Sequence, residues 1–84
     1  MKKLVEVSDE GFEGLLGQQV TLLCMNYFYT GKLVGVNDSC VKLAGPSIVY
    51  ETGPWTDAAW SDAQTLPGDI YVQITSIEAF GVLK

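Results

Sequence analysis

From Gln19 onward the chain alternates with a period of two. Val20, Leu22 and Cys24 fall on one face and Thr21, Leu23 and Met25 on the other, the spacing of a strand that is apolar on both sides. Asn26 and Tyr27 predict a turn, and Phe28 to Val36 predicts a second strand with Gly31 and Gly35 inside it. Glycine within a strand marks a bend or bulge, and a strongly bent strand is what a small barrel requires. Asn37-Asp38-Ser39 predicts a tight turn, because Asn and Asp tolerate left-handed backbone and bond their own main chain. Residues 40–44 form a third strand, Gly45-Pro46 breaks or bends the chain, and residues 47–51 read as extended again.

The flanks are less regular. Residues 2–7 predict a short edge strand, and Ser8-Asp9-Glu10 carries a helix-start signal with acidic residues in the first turn. Phe12, Leu15 and Leu16 then form an i, i+3, i+4 stripe closed by Gly17. With Gly11, Gly14 and Gly17 weakening it, the stripe fits either a short helix or an irregular turn. After Gly53-Pro54, Thr56 or Asp57 can cap a helical turn running through Ala63 and ending near Leu66-Pro67-Gly68. Residues 70–74 and 77–82 are two β-rich runs hinged at Thr75-Ser76. No repeat or linker divides the chain, so the expectation is one all-β domain over residues 1–84 with small helical accessories.

Composition sharpens this picture. Apolar residues make up 48% of 84 residues, enough for one core, and a chain this short commonly adds apolar burial by self-association. The net charge of −5, with five Lys and neither Arg nor His, is a poor footprint for a phosphate-dominated ligand. Lys2, Lys3, Lys32, Lys42 and Lys84 either gather into a local basic ring or stand as separate solvated charges.

Catalytic chemistry finds little support. Without His, neither Cys nor Ser has its usual base. Glu51, Asp57, Asp62 and Asp69 are irregularly spaced, which reads as a solvated loop rather than a metal site. No glycine loop that could cradle phosphate precedes a helix. The expectation is therefore a protein that is not an enzyme and uses no metal or cofactor. Cys24 and Cys40 sit in alternating apolar runs with no secretory segment before them. They read as free core thiols in an intracellular, reducing setting. No run approaches the length of a membrane span.

Val20, Leu22, Gly31, Leu33, Val36 and Leu43, with Asn37-Asp38 in the following turn, match one motif of a known family, and residues 71–77 match its second. On these positions, which cover about half of the chain, the sequence resembles the Sm and Sm-like proteins. Residues 48–53, Trp55, Trp60 and Leu66-Pro67-Gly68-Asp69 are similar to small Sm-like proteins of marine phage type. The resemblance implies a strongly bent five-stranded antiparallel barrel, more broadly SH3-like, with a short N-terminal helix and a helical turn in the long loop before the last two strands. It also implies a homo-oligomeric ring of about five to seven subunits joined by edge strands. The implied role is non-catalytic binding of RNA, or of DNA, in processing or regulation.

Departures from the family bear on the ligand. Members that bind uridine use a stacking side chain and an Asn from the second-to-third strand turn, and an Arg-Gly pair from the last hinge. Here those places hold residues 37–41 and Ile74-Thr75-Ser76, with no aromatic and no arginine. Asn37, Ser39, Gln73, Thr75 and Ser76 remain for base edges. Lys32 and Lys42 either face phosphates or form a solubilising outer face. Trp55, Trp60 and Tyr50 lie in a loop rich in Gly, Pro and Asp, where they form either a stacking platform or a plug that closes one barrel end or packs subunits. The acidic balance favours a competing role, a structural or protein-interaction ring such as a viral assembly component.

Overall fold

A computed structural model describes residues 11–84. The strand expected over residues 2–7 and the helix start at Ser8-Asp9-Glu10 lie outside them. One helical turn, α1 (Gly11–Gly14), precedes six strands: β1 (Gln19–Cys24), β2 (Phe28–Val36), β3 (Cys40–Glu51), β4 (Asp62–Thr65), β5 (Ile70–Gln73) and β6 (Ile77–Gly81). All pairings are antiparallel, in the order β4-β3-β2-β1-β6, and β5 lies beside the first half of β3.

Period-two alternation places the core. Val20, Leu22, Leu33, Val41 and Leu43 are essentially free of solvent, and Cys24 and Val72 complete the cluster. Register brings Leu33 opposite Leu43 and Val41 opposite Val72, so the inward residues of neighbouring strands meet as cross-strand pairs. Phe12 and Leu15 pack against this cluster, and Phe12 also stacks on Phe80 of β6 with ring centroids 3.9 Å apart. The stripe at residues 12–16 thus resolves as one helical turn and an irregular continuation, in which Gly17 N–H donates to Leu33 O (2.7 Å) and Leu33 N–H donates to Gln18 O (2.9 Å).

β3 is continuous through Gly45-Pro46 and bends there, with Gly45 at φ +56°. Opposite the bend, an added Cβ on Gly31 would stand 3.1 Å from Leu43 Cβ and 3.2 Å from both Ala44 O and Pro46 Cα. The two backbones are therefore pressed together at Gly31, and the β2–β3 register shifts between Thr30 and Lys32. Gly35 is different, since a Cβ there would meet only Lys42 Cβ, at an ordinary 3.5 Å. Pro46 is buried and its carbonyl accepts a hydrogen bond from Leu66 N–H (2.8 Å), which fastens the end of β4 to the bend.

Two expectations are corrected. The sheet has six strands rather than five, and it is not closed among the described residues: β5 and β6 are linked by a 3-10 turn (Ile74–Ser76), not by a ladder. The second correction is the helical turn expected to run through Ala63. Asp57 N–H donates to Pro54 O (3.0 Å) in an isolated turn, and Asp62–Thr65 runs as β4 against β3. So short a helix is a poor competitor for the free edge of β3, because its first turn fixes several residues for a single hydrogen bond.

Polar groups under the sheet are unevenly satisfied. Thr30 Oγ1 donates to Val20 O (2.9 Å), whereas the buried Thr21 Oγ1 has no partner among the described residues. This packing sets the expected stability of three variants. Gly31→Ala should cost roughly 1–3 kcal/mol through forced backbone separation, while Gly35→Ala should be neutral or slightly stabilising. Thr21→Val should raise stability by about 1 kcal/mol by removing an unsatisfied hydroxyl. Urea midpoints check all three; an unchanged midpoint for Gly31→Ala contradicts the close-approach account.

Candidate functional site

The β2–β3 turn and the 3-10 turn meet at one end of the sheet. Asn37 Oδ1 accepts from the N–H groups of Ser39 (2.7 Å) and Cys40 (2.9 Å), and Asn37 N–H donates to Cys40 O (3.0 Å). Ser39 O accepts from Ile74 N–H (2.9 Å), and Cys40 pairs with Gln73. Asn37, Ser39, Gln73, Thr75 and Ser76 are thereby collected on two adjoining segments. The carbonyl oxygen of the Asn37 side chain is committed to its own turn, so only its amide NH2 faces outward as a donor.

The described lysines do not join them as a ring. Lys32 is exposed and pairs across the sheet with Gln19 and Ala44. It lies five residues before Asn37 in the sequence, roughly 16 Å away along the strand at about 3.3 Å per residue. Lys42 sits on the same outer face as Lys32 but is half-buried, with Nζ 3.9 Å from Asp69 Oδ2 and 5.5 Å from the centre of the Tyr71 ring. Lys84 is committed elsewhere, donating to the carbonyls of Thr52, Pro54 and Ala59. Lys2 and Lys3 lie outside the described residues.

A cleft of about 480 Å³ opens between the β1–β2 hairpin and β5. Its walls include Tyr27 and Tyr29 from the hairpin side and Tyr71 from β5, with Asn26, Gln73 and Ser76 as polar groups and Met25 at its margin. Tyr71 and Met25 are strongly exposed, at 67% and 79%. Burial, and after it the Glu78 carboxylate, pushes the Cys24 thiol up from its ordinary value. Burial also raises the Tyr29 phenol, helped by Cys24, Tyr27 and Tyr50. Both groups therefore stay protonated at neutral pH, and the cleft offers neutral hydrogen-bonding groups and aromatic faces. That chemistry suits a planar ligand with polar edges.

Sequence reasoning placed Gln73 and Ser76 at a candidate site but missed the tyrosines. The i, i+2 spacing of Tyr27 and Tyr29 at a turn was the available signal. Their convergence with Tyr71 depends on which edge of β3 receives β5, which spacing does not encode.

The tryptophan loop packs within the chain. Phe28 and Trp55 have centroids 6.4 Å apart, Trp55 and Trp60 meet edge to face at 5.6 Å, and Tyr50 meets Tyr27 in the same manner at 5.6 Å. No family model, curated protein or solved structure matches the chain.

Because Asn37 Oδ1 holds two main-chain donors, Asn37→Ala should destabilise the fold by roughly 0.5–1.5 kcal/mol, and Asn37→Asp should retain most of that stability. Thermal unfolding of the two variants checks this; equal losses would mean that the side-chain acceptor does not hold the turn.

Proposed function

We propose that this chain is a non-catalytic module of Sm-like, more broadly SH3-like, build that binds single-stranded RNA or DNA as a homo-oligomeric ring. The observation that carries this reading is the tyrosine-walled cleft with Asn26, Gln73 and Ser76 in its lining. Bases stack on tyrosine faces irrespective of sequence, and amide and hydroxyl groups bond their edges. Support for the build comes from β5 and β6, which are joined by the 3-10 turn yet pair with β3 and β1 respectively. Support for the ring comes from the sheet ends. Among the described residues β4 and β6 each have one unpaired edge, at opposite ends of the strand order, so β4 of one copy can pair with β6 of the next in a head-to-tail contact that closes on itself. Phe80, Val82 and Leu83 expose apolar surface at the β6 end, which such a contact would cover.

The charge pattern dictates how the ligand is held. Among the described residues all seven carboxylates, Glu13, Asp38, Glu51, Asp57, Asp62, Asp69 and Glu78, are exposed, while Lys32 is the exposed lysine. Binding therefore rests on stacking more than on phosphate contacts. The same pattern favours a second reading, a ring that holds a protein partner.

The test is titration of short single-stranded RNA and DNA oligonucleotides at several salt concentrations. Tyr71→Ala should weaken binding by about 1–3 kcal/mol. The slope of log affinity against log salt should be shallow, changing by about 0.7 for each phosphate contact removed through Lys32→Ala or Lys42→Ala. Binding unaffected by Tyr71→Ala, or none at low salt, leaves the protein-assembly ring as the reading. Light scattering that shows a stable monomer at micromolar concentration removes the ring itself.

A further inference from the structure

The loop between β3 and β4 encloses a cation in a manner that the nucleic-acid reading does not use. Lys84 Nζ donates to Thr52 O at 2.8 Å, Pro54 O at 3.0 Å and Ala59 O at 3.2 Å. It also stands 4.6 Å from the centre of the Trp60 ring and 5.5 Å from that of Trp55. The two indoles are nearly perpendicular, at 83°, so they wall the ammonium on two sides. Among the described residues no carboxylate lies within ion-pairing distance of it.

An alkylammonium carries three N–H donors and no acceptor, and three carbonyls meet them here. A positive charge is further stabilised over the faces of tryptophan rings. Local backbone builds the tripod: Gly53 adopts φ +67°, the Asp57 N–H to Pro54 O bond closes the next turn, and Ser61 N–H donates to Thr52 O at 3.4 Å. The left-handed φ of Gly53 is one that side-chain-bearing residues rarely adopt, and a Cβ there would fall 2.5 Å from Ser61 Oγ, so that the Ser61 side chain would have to turn away.

We propose that residues 52–61 form a binding site for an unmodified primary alkylammonium, of the kind carried by a lysine side chain, and that Lys84 occupies it in cis. An ammonium arriving from outside must displace Lys84, so the site is closed to ligands while that side chain is seated. Selectivity follows from the donors. A trimethylammonium keeps the charge and the contact with the rings but has no N–H to offer the carbonyls, and a guanidinium is planar where the acceptors form a tripod.

Two experiments test this. In the wild-type chain the Lys84 ε-methylene protons should be shifted upfield by the indole rings in an NMR spectrum; resonances at the position of a free lysine would overturn the proposal without any variant. In Lys84→Ala, n-butylammonium and Nα-acetyl-lysine-N-methylamide should each change the tryptophan emission saturably and raise the unfolding temperature, with wild type responding at least tenfold more weakly. Butyltrimethylammonium should bind Lys84→Ala at least tenfold more weakly than n-butylammonium. If Lys84→Ala ignores both primary amines, or does not distinguish primary from quaternary ammonium, the site is not an ammonium site. A response to n-butylammonium alone would exclude lysine side chains as its ligand and overturn that part of the proposal. Tyr71→Ala should leave the amine response intact, which separates this site from the cleft.

Discussion

The close approach of β2 to β3 at Gly31 is the constraint on which the rest of the structure hangs. A Cβ here would meet Leu43, Ala44 and Pro46 at 3.1–3.2 Å, closer than such contacts usually run, and this near approach accompanies the bend of β3 at Gly45. A bent β3 presents two differently directed edges. Its first half receives β5 and so forms one wall of the cleft; its second half receives β4 and so sets the exit of the tryptophan loop. A straight β3 would carry one long partner, and the 3-10 turn that returns the chain to β1 would have no reason to fall at Ile74–Ser76.

Charge is distributed by a related economy. The chain has few cations and binds two of the described ones internally: Lys42 against Asp69 and Tyr71, and Lys84 against three carbonyls and two indoles. The Lys42 pair is half-exposed and long, so its contribution to stability is small. Its larger effect is to remove an accessible positive charge beside the cleft. Among the described residues the exposed charge is left dominated by carboxylates, and the cleft offers aromatic faces and neutral hydrogen-bonding groups, whose interactions are not screened by salt.

Much of the fold was legible because alternation is a local signal. β1, β2 and the Asn37-Asp38-Ser39 turn follow from period-two spacing and turn chemistry, and residues 70–77 showed their hinge. Legibility failed where pairing partners decide. Asp62–Thr65 carries no alternation and is exposed throughout, so nothing in its residues marks a strand; the free edge of β3 does. The extra strand, and with it the departure from a five-stranded barrel, came from that edge. At the candidate site, Asn37 was read both as a base-reading group and as a turn residue, and its two short main-chain bonds commit its carbonyl oxygen to the turn. Lys32 and Lys42 flank the turn in sequence, yet register puts Lys32 well down the strand and Lys42 against Asp69.

The tryptophan loop shows why a long-range tether matters in so small a chain. Ten residues separate the end of β3 from the start of β4, all of them half-buried or exposed, and ordering each backbone unit costs about 1–2 kcal/mol of conformational entropy. Apolar burial alone is limited there, since Trp55 remains 47% exposed. What crosses the loop instead is a set of directional bonds from one ammonium to carbonyls at residues 52, 54 and 59. Hydrogen bonds to a charged donor are stronger than neutral ones, and three that converge on one atom fix the relative positions of three loop segments together. Trp55 of the loop packs beside Phe28, and Tyr50 at the end of β3 meets Tyr27 in the turn before β2, so aromatic rings hold both the loop and the end of β3 to the β1–β2 hairpin.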